Sequence, residues 1–133
     1  MNKKLLIDTD VLIDFLRGDH HAIHFLEKAM EQSVCFLSVI TISELYAGVR
    51  EGKESHILER LILEFEIAAL DDKTAQAGGL YRRKFGKSHG VGLADAIIAA
   101  TADAHNLDLV TLNAKHYPMF KEVHVPYRKH LLM

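Results

Sequence analysis

The chain has 133 residues, 49% of them hydrophobic, with 16 Lys and Arg against 18 Asp and Glu. That length and composition suit one domain across residues 1–133, able to close a core without structural metal, and the single cysteine, Cys35, excludes an intrachain disulfide. The balanced charge excludes a strongly basic nucleic-acid binder, and Asp8, Asp10 and Asp14 break the first apolar run, which excludes a signal peptide or membrane span there.

In chain order, Lys4 to Ile7 predicts a strand that ends in Asp8-Thr9-Asp10, a helix start. Val11, Leu12, Phe15 and Leu16 keep helical spacing up to Gly18, and a second amphipathic helix from about His20 turns Ile23, Phe25, Leu26 and Met30 inward. Val34 to Val39 reads as a strand, Thr41-Ile42-Ser43-Glu44 as the opening of a helix, and Ile57 to Phe65 as another helix. Ile67 to Leu70 predicts a strand, Asp71-Asp72 the start of a helix holding Arg82, Arg83, Lys84 and Lys87, and Leu93 to Ala104 a helix apolar almost all round. Leu107 to Leu112 predicts a buried strand and Val123 to Val125 a short last one. Strands alternating with helices argue for an α/β fold, a mostly parallel sheet covered on both faces.

Asp8, Glu44 and Asp95 stand out because each falls where a strand yields to a helix or in a helix's first turn. In a parallel sheet those places share one edge, where ligands bind. Each acid also has a purely structural explanation: Thr41-x-x-Glu44 has the form of a capping box, Asp8 or Asp10 can cap the first helix, and Asp95 can complement a helix dipole. Asp95 resists that explanation most, because Leu93, Ala94, Ala96, Ile97 and Ile98 surround it without a local Lys or Arg. A cation held jointly by several carboxylates would compensate it, and hard oxygen ligands without thiolates favour Mg²⁺ or Mn²⁺ over zinc.

The run Leu6-Ile7-Asp8-Thr9-Asp10-Val11-Leu12-Ile13-Asp14-Phe15-Leu16 resembles the opening of PIN-domain ribonucleases of the VapC toxin type. The segments Ile42-Ser43-Glu44-Leu45-Tyr46-Ala47-Gly48, Leu93-Ala94-Asp95-Ala96-Ile97-Ile98-Ala99-Ala100-Thr101-Ala102 and Leu109-Val110-Thr111-Leu112-Asn113 resemble the later motifs in order and spacing. The lone cysteine and the broken first apolar run point to a reducing cytoplasm, and the resemblance implies an α/β/α sandwich and divalent-metal-dependent RNA cleavage. It also implies a VapB-like antitoxin partner, a homodimer and a toxin–antitoxin hetero-oligomer. Matched position by position, Asp8, Glu44 and Asp95 are the core acids, and Thr9, Thr111 and Asn113 are polar positions that order the site. His116 stands where the family usually has a fourth acid, and Asp10 stands where it more often has Asn or Ser, which makes Asp10 a candidate replacement.

Carboxylates crowded together repel one another until a divalent ion neutralises them. Such an ion can activate water for attack on phosphorus, with Glu44 placed to orient or deprotonate that water and Asp8 and Asp95 as main ligands. Arg82, Arg83 and Lys87 are candidate RNA contacts, against the plainer reading of a solvated helix face. Two rivals remain open. Asp8-x-Asp10 also resembles the nucleophile motif of haloacid-dehalogenase-type phosphatases, although Asp71-Asp72 precedes Thr111 and Lys115 where that family has the reverse order, and Glu44 and Asp95 would lack roles. A non-catalytic RNA- or protein-binding module on the same fold is the other.

Overall fold

The structure, a computed structural model, describes residues 3–128. Its elements run β1 (Lys3–Ile7), α1 (Thr9–Leu16), α2 (His20–Gln32), β2 (Ser33–Ser38), α3 (Val39–Gly48), α4 (Lys53–Ile62), β3 (Glu66–Ala68), α5 (Asp72–His89), α6 (Leu93–Ala104), β4 (Asp108–Val110) and a 3₁₀ turn (Ala114–His116). The four strands form one sheet in the order β3-β2-β1-β4, and every pairing is parallel. Each crossover carries two helices.

Alternation along β1 sorts the helices into two layers. Leu5 and Ile7 join Val11, Leu12, Leu26, Leu45 and Leu58 in the core between the sheet and α1–α4. Leu6 points the other way, onto Ile98, Ala99 and Ala102 of α6, with Tyr81 of α5 packed alongside. The result is an α/β/α sandwich. Gly78 of α5 sits against α6 so closely that a Cβ there would lie 2.9 Å from Ile97 Cγ1 and 3.0 Å from its Cα. The absence of a side chain at Gly78 therefore sets how closely these two helices approach.

Three features differ from expectation. The helix expected to open at Thr41 begins at Val39, with Ser38 as its N-cap and Ser38 Oγ accepting from Ile40 N at 3.0 Å. Thr41 is therefore inside the helix and Glu44 in its second turn, so the capping box is not formed. The strand expected at Val123 to Val125 is a single parallel bridge, His124 to Val110, in which His124 N donates to Leu109 O and Thr111 N to His124 O. On α2, Ala22, Leu26 and Ala29 are the buried positions, while Ile23, Phe25 and Met30 are half-buried. Beyond the bridge, Tyr127 stacks on His21 and donates to Asp14 Oδ2 at 3.0 Å, strapping the chain over α1 and α2.

Candidate active site

Proceeding from β1, the chain steps to β2 and β3 on one side and returns to β4 on the other, so the order reverses between β1 and β4. The carboxyl ends of strands at such a reversal leave a crevice. Asp8 lies there: its backbone N donates to Val110 O at 2.8 Å, which brings the end of β1 level with Thr111 after β4. A cavity of about 210 Å³ opens at this point, lined by Asp8, Thr9, Asp10, Ile13, Glu44, Asp95, Asn113 and His116. A larger hollow, about 820 Å³, lies at the opposite edge among the first residues of β1, β2 and β4, and among the described residues the acids on its wall are Asp108 and Glu122. The smaller cavity is the one with concentrated chemistry.

Asp8 is both the N-cap of α1 and the most buried acid of the cavity. Its Oδ1 accepts from Thr9 N at 2.8 Å, and its Oδ2 from Thr111 Oγ1 at 2.8 Å and Tyr117 Oη at 2.9 Å. Burial nevertheless pushes its carboxyl up to about 7, with the neighbouring Asp10 charge adding to the rise and the three donors only partly opposing it. Asp10 is raised too, first by burial. Its Oδ2 accepts from Leu112 N at 3.0 Å, while its buried Oδ1 has no hydrogen-bond partner among the described residues.

Glu44 stands exposed at the rim, held by Thr9 Oγ1 at 2.7 Å. Thr9 Oγ1 also lies 3.0 Å from Thr41 Oγ1. A hydroxyl has one proton and an ionised carboxylate only accepts, so Thr9 donates to Glu44 and Thr41 donates to Thr9. Asp95 enters from the third position of α6, with Oδ2 2.9 Å from His116 Nδ1 and Oδ1 3.4 Å from Tyr117 Oη. Asn113 Nδ2 is 3.0 Å from the same His116 nitrogen.

The sequence-derived residues Asp8, Glu44, Asp95, Thr9, Asp10, Thr111, Asn113 and His116 thus all meet around this cavity or bond directly to its walls. One expectation reverses: the side chain of Asp95 is 26% exposed, so the cost of burial falls on Asp8 and Asp10 instead. Arg82, Arg83 and Lys87 are exposed on α5 and line no part of the cavity. Tyr117 and Thr41 were not foreseen. Tyr117 adjoins the Asn113 motif, but only the turn after β4 shows that its hydroxyl meets the acids.

The family model of the PIN domain matches residues 5–123. The chain belongs to the PIN domain family. This PIN domain is 36% identical over 124 residues to Ribonuclease VapC10 of Mycobacterium tuberculosis (strain CDC 1551 / Oshkosh), 92% of each chain. Ribonuclease VapC1 of Methanocaldococcus jannaschii is 32% identical over 120 residues, 90% of this chain and 82% of that one. Among solved structures, one described as a toxin-antitoxin complex from Klebsiella pneumoniae superposes with a TM-score of 0.79 and 29% identity, covering 94% of this chain and 99% of that chain. Membership of the PIN family overturns the dehalogenase-type phosphatase reading of Asp8 and Asp10.

Proposed function

We propose that this PIN domain is the ribonuclease toxin of a toxin–antitoxin pair, hydrolysing RNA phosphodiester bonds in the acidic cavity with a divalent cation, Mg²⁺ or Mn²⁺. The observation that carries this reading is the concentration of Asp8, Asp10, Glu44 and Asp95 around one small crevice, with Asp10 Oδ1 buried and unpartnered among the described residues. An orphaned buried oxygen, two carboxyls raised by burial and an all-oxygen acid set fit a hard cation. As they stand, no three His, Cys, Asp or Glu side chains among the described residues lie close enough to hold an ion together. Closing the set around an ion falls to Glu44, which is exposed at the rim.

Asp8, Glu44 and Asp95 form the ligand set, with Asp10 as the added carboxylate that stands in for the acid His116 replaces. When bound, the cation neutralises these acids and polarises the phosphodiester. Thr9 fixes Glu44 through Oε1, leaving Oε2 to orient the attacking water and accept its proton. His116 Nδ1–H donates to Asp95 and holds it in line, and Thr111 holds Asp8.

The whole chain, 1–133, acts as one PIN domain in the cytoplasm, and among the described residues no helix is long and apolar enough to cross a membrane. Its partners are RNA, a second copy of itself and an antitoxin. Arg82, Arg83 and Lys87, exposed and outside every ion pair found among the described residues, supply phosphate contacts for the RNA. The test is RNA cleavage by the purified chain with Mg²⁺ or Mn²⁺, with chelator, and with Asp95→Asn. Cleavage that needs the cation and Asp95 is expected. Full activity in chelator would sink the metal mechanism, and no cleavage of any RNA by loaded wild type would make this a binding module.

A further inference from the structure

Tyr117 is a large side chain only 2% exposed, yet its one polar atom sits between two acids brought together from opposite ends of the chain. Its Oη is 2.9 Å from Asp8 Oδ2 and 3.4 Å from Asp95 Oδ1. A phenol has one proton, so the 2.9 Å contact makes Asp8 its main acceptor and the 3.4 Å contact leaves Asp95 the weaker one. The other donors divide between the acids: Thr9 N and Thr111 Oγ1 reach Asp8, and His116 Nδ1 reaches Asp95. Among the described residues Tyr117 is the group that reaches both.

The ring beneath that hydroxyl has little freedom to follow the acids. It packs in the core with Leu6 of β1, Ile98 and Ala102 of α6, and Leu109 of β4, the elements that deliver Asp8 and Asp95. Its backbone is tied into the turn by Tyr117 N donating to Ala114 O at 3.0 Å and by Phe120 N donating to Tyr117 O at 3.2 Å. The hydroxyl is thus a fixed point against which both carboxylates are set.

We propose that Tyr117 is a positioning residue: its hydroxyl donates to Asp8 Oδ2, with Asp95 Oδ1 as the longer contact, and so orients the Asp8 carboxylate beside Asp95 for a divalent cation. This rests on the metal-dependent reading of the same cavity. Without the phenol proton, Asp8 loses a donor that orients its carboxylate beside a like charge, and the cation must do the work of reassembling the pair. One charge-assisted hydrogen bond lost at each binding event corresponds to roughly tenfold in affinity. Since Phe has nearly the same shape, Tyr117→Phe removes the hydrogen bond and keeps the packing.

The experiment is calorimetric titration of the full chain with Mn²⁺, in wild type and Tyr117→Phe, beside thermal melts and RNA-cleavage kinetics. The expected result is a folded variant that binds Mn²⁺ roughly tenfold more weakly, with KM for RNA unchanged and with activity lost at limiting Mn²⁺ returning as Mn²⁺ is raised. Unchanged Mn²⁺ affinity would make Tyr117 a core residue only. Tighter affinity would mean that the phenol competes with the cation, and would equally overturn the proposal. If the variant does not fold, the wild type still decides: the Tyr117 hydroxyl proton, followed by NMR, should shift on saturation with Mg²⁺, and an unmoved signal overturns the proposal. Failure of the metal reading is distinguishable, because wild type itself would then give no binding isotherm.

Discussion

At the scale of single residues, the site is a balance between desolvation and donation, and Asp8 is where the balance is tightest. Three donors serve its oxygens, yet burial and the Asp10 charge hold its carboxyl up at about 7 instead of 3.8. A carboxyl whose folded pKa exceeds its unfolded one favours the folded state when protonated. That contribution is complete below about pH 4 and is lost as pH rises through about 7. The metal-free protein should therefore melt several degrees higher at pH 5 than at pH 8, the effect being on the order of a few kcal/mol. Asp8→Asn should shrink that difference, and so should saturating divalent cation at pH 8. A wild-type melting temperature with no dependence on pH across this window would show that the cavity solvates the Asp8 anion better than its burial implies. Glu44 illustrates the opposite case: exposed at the rim, it is steered by a buried Thr41–Thr9 hydroxyl pair rather than by burial of its own carboxylate.

At the scale of elements, α5 and α6 form the layer that delivers Asp95, and their spacing depends on Gly78. Gly78→Ala would press a methyl onto the Ile97 side chain and backbone, two residues from Asp95. Overpacking of this kind costs about 1–3 kcal/mol, so the variant should melt several degrees lower. Gly79, its neighbour, has nothing within 4 Å of a Cβ, so Gly79→Ala should stabilise the same helix by about 0.5–1 kcal/mol. Equal effects of the two substitutions, measured by thermal melts, would show that helix propensity and not close approach governs this pair. Further along α5, replacing Arg82, Arg83 and Lys87 with Gln should weaken RNA binding and flatten its salt dependence while leaving Mn²⁺ affinity alone. An unchanged salt slope would return these residues to the plainer role of a solvated helix face.

At the scale of the whole molecule, the chain order reverses beside β1, so one crevice collects acids from β1, α1, α3 and α6. A cavity ringed by carboxylates is a pocket for a cation, and an Arg guanidinium can fork onto two carboxylates at once. Expressed alone in a bacterial cell, the chain should arrest growth, and Asp95→Asn should not. Co-expression of the antitoxin should restore growth, less well when an Arg that enters the cavity is changed to Ala. Growth arrest by the Asp95→Asn variant at equal expression would separate toxicity from cleavage.

Much of this was legible in the amino-acid order, and the reason is apolar patterning. The continuous apolar run Leu5-Leu6-Ile7 and the apolar run of α6 declared a strand buried on both faces and a buried helix. Acids at the ends of such elements could therefore be placed on one edge before any contact was known. The start of α3 escaped the same logic. Val39 is β-branched and reads as the end of a strand, but β2 stops pairing at Ser38, opposite Ala68, and Ser38 is free to cap a helix. Likewise, Asp95 looked the costliest acid from its apolar neighbours in sequence, whereas Ala96 and Ile98 turn inward, Leu93 is exposed, and the carboxylate is a quarter exposed on the cavity wall. Tyr117 carried no periodic signal, because its role depends on a turn that swings its hydroxyl from beyond β4 to Asp8, which precedes it by 109 residues. Sequence alone determined the layers and which acids share an edge. Only the tertiary structure decided which acids are buried and which donors reach them, because desolvation and hydrogen bonding depend on atoms that are distant in sequence and adjacent only after folding.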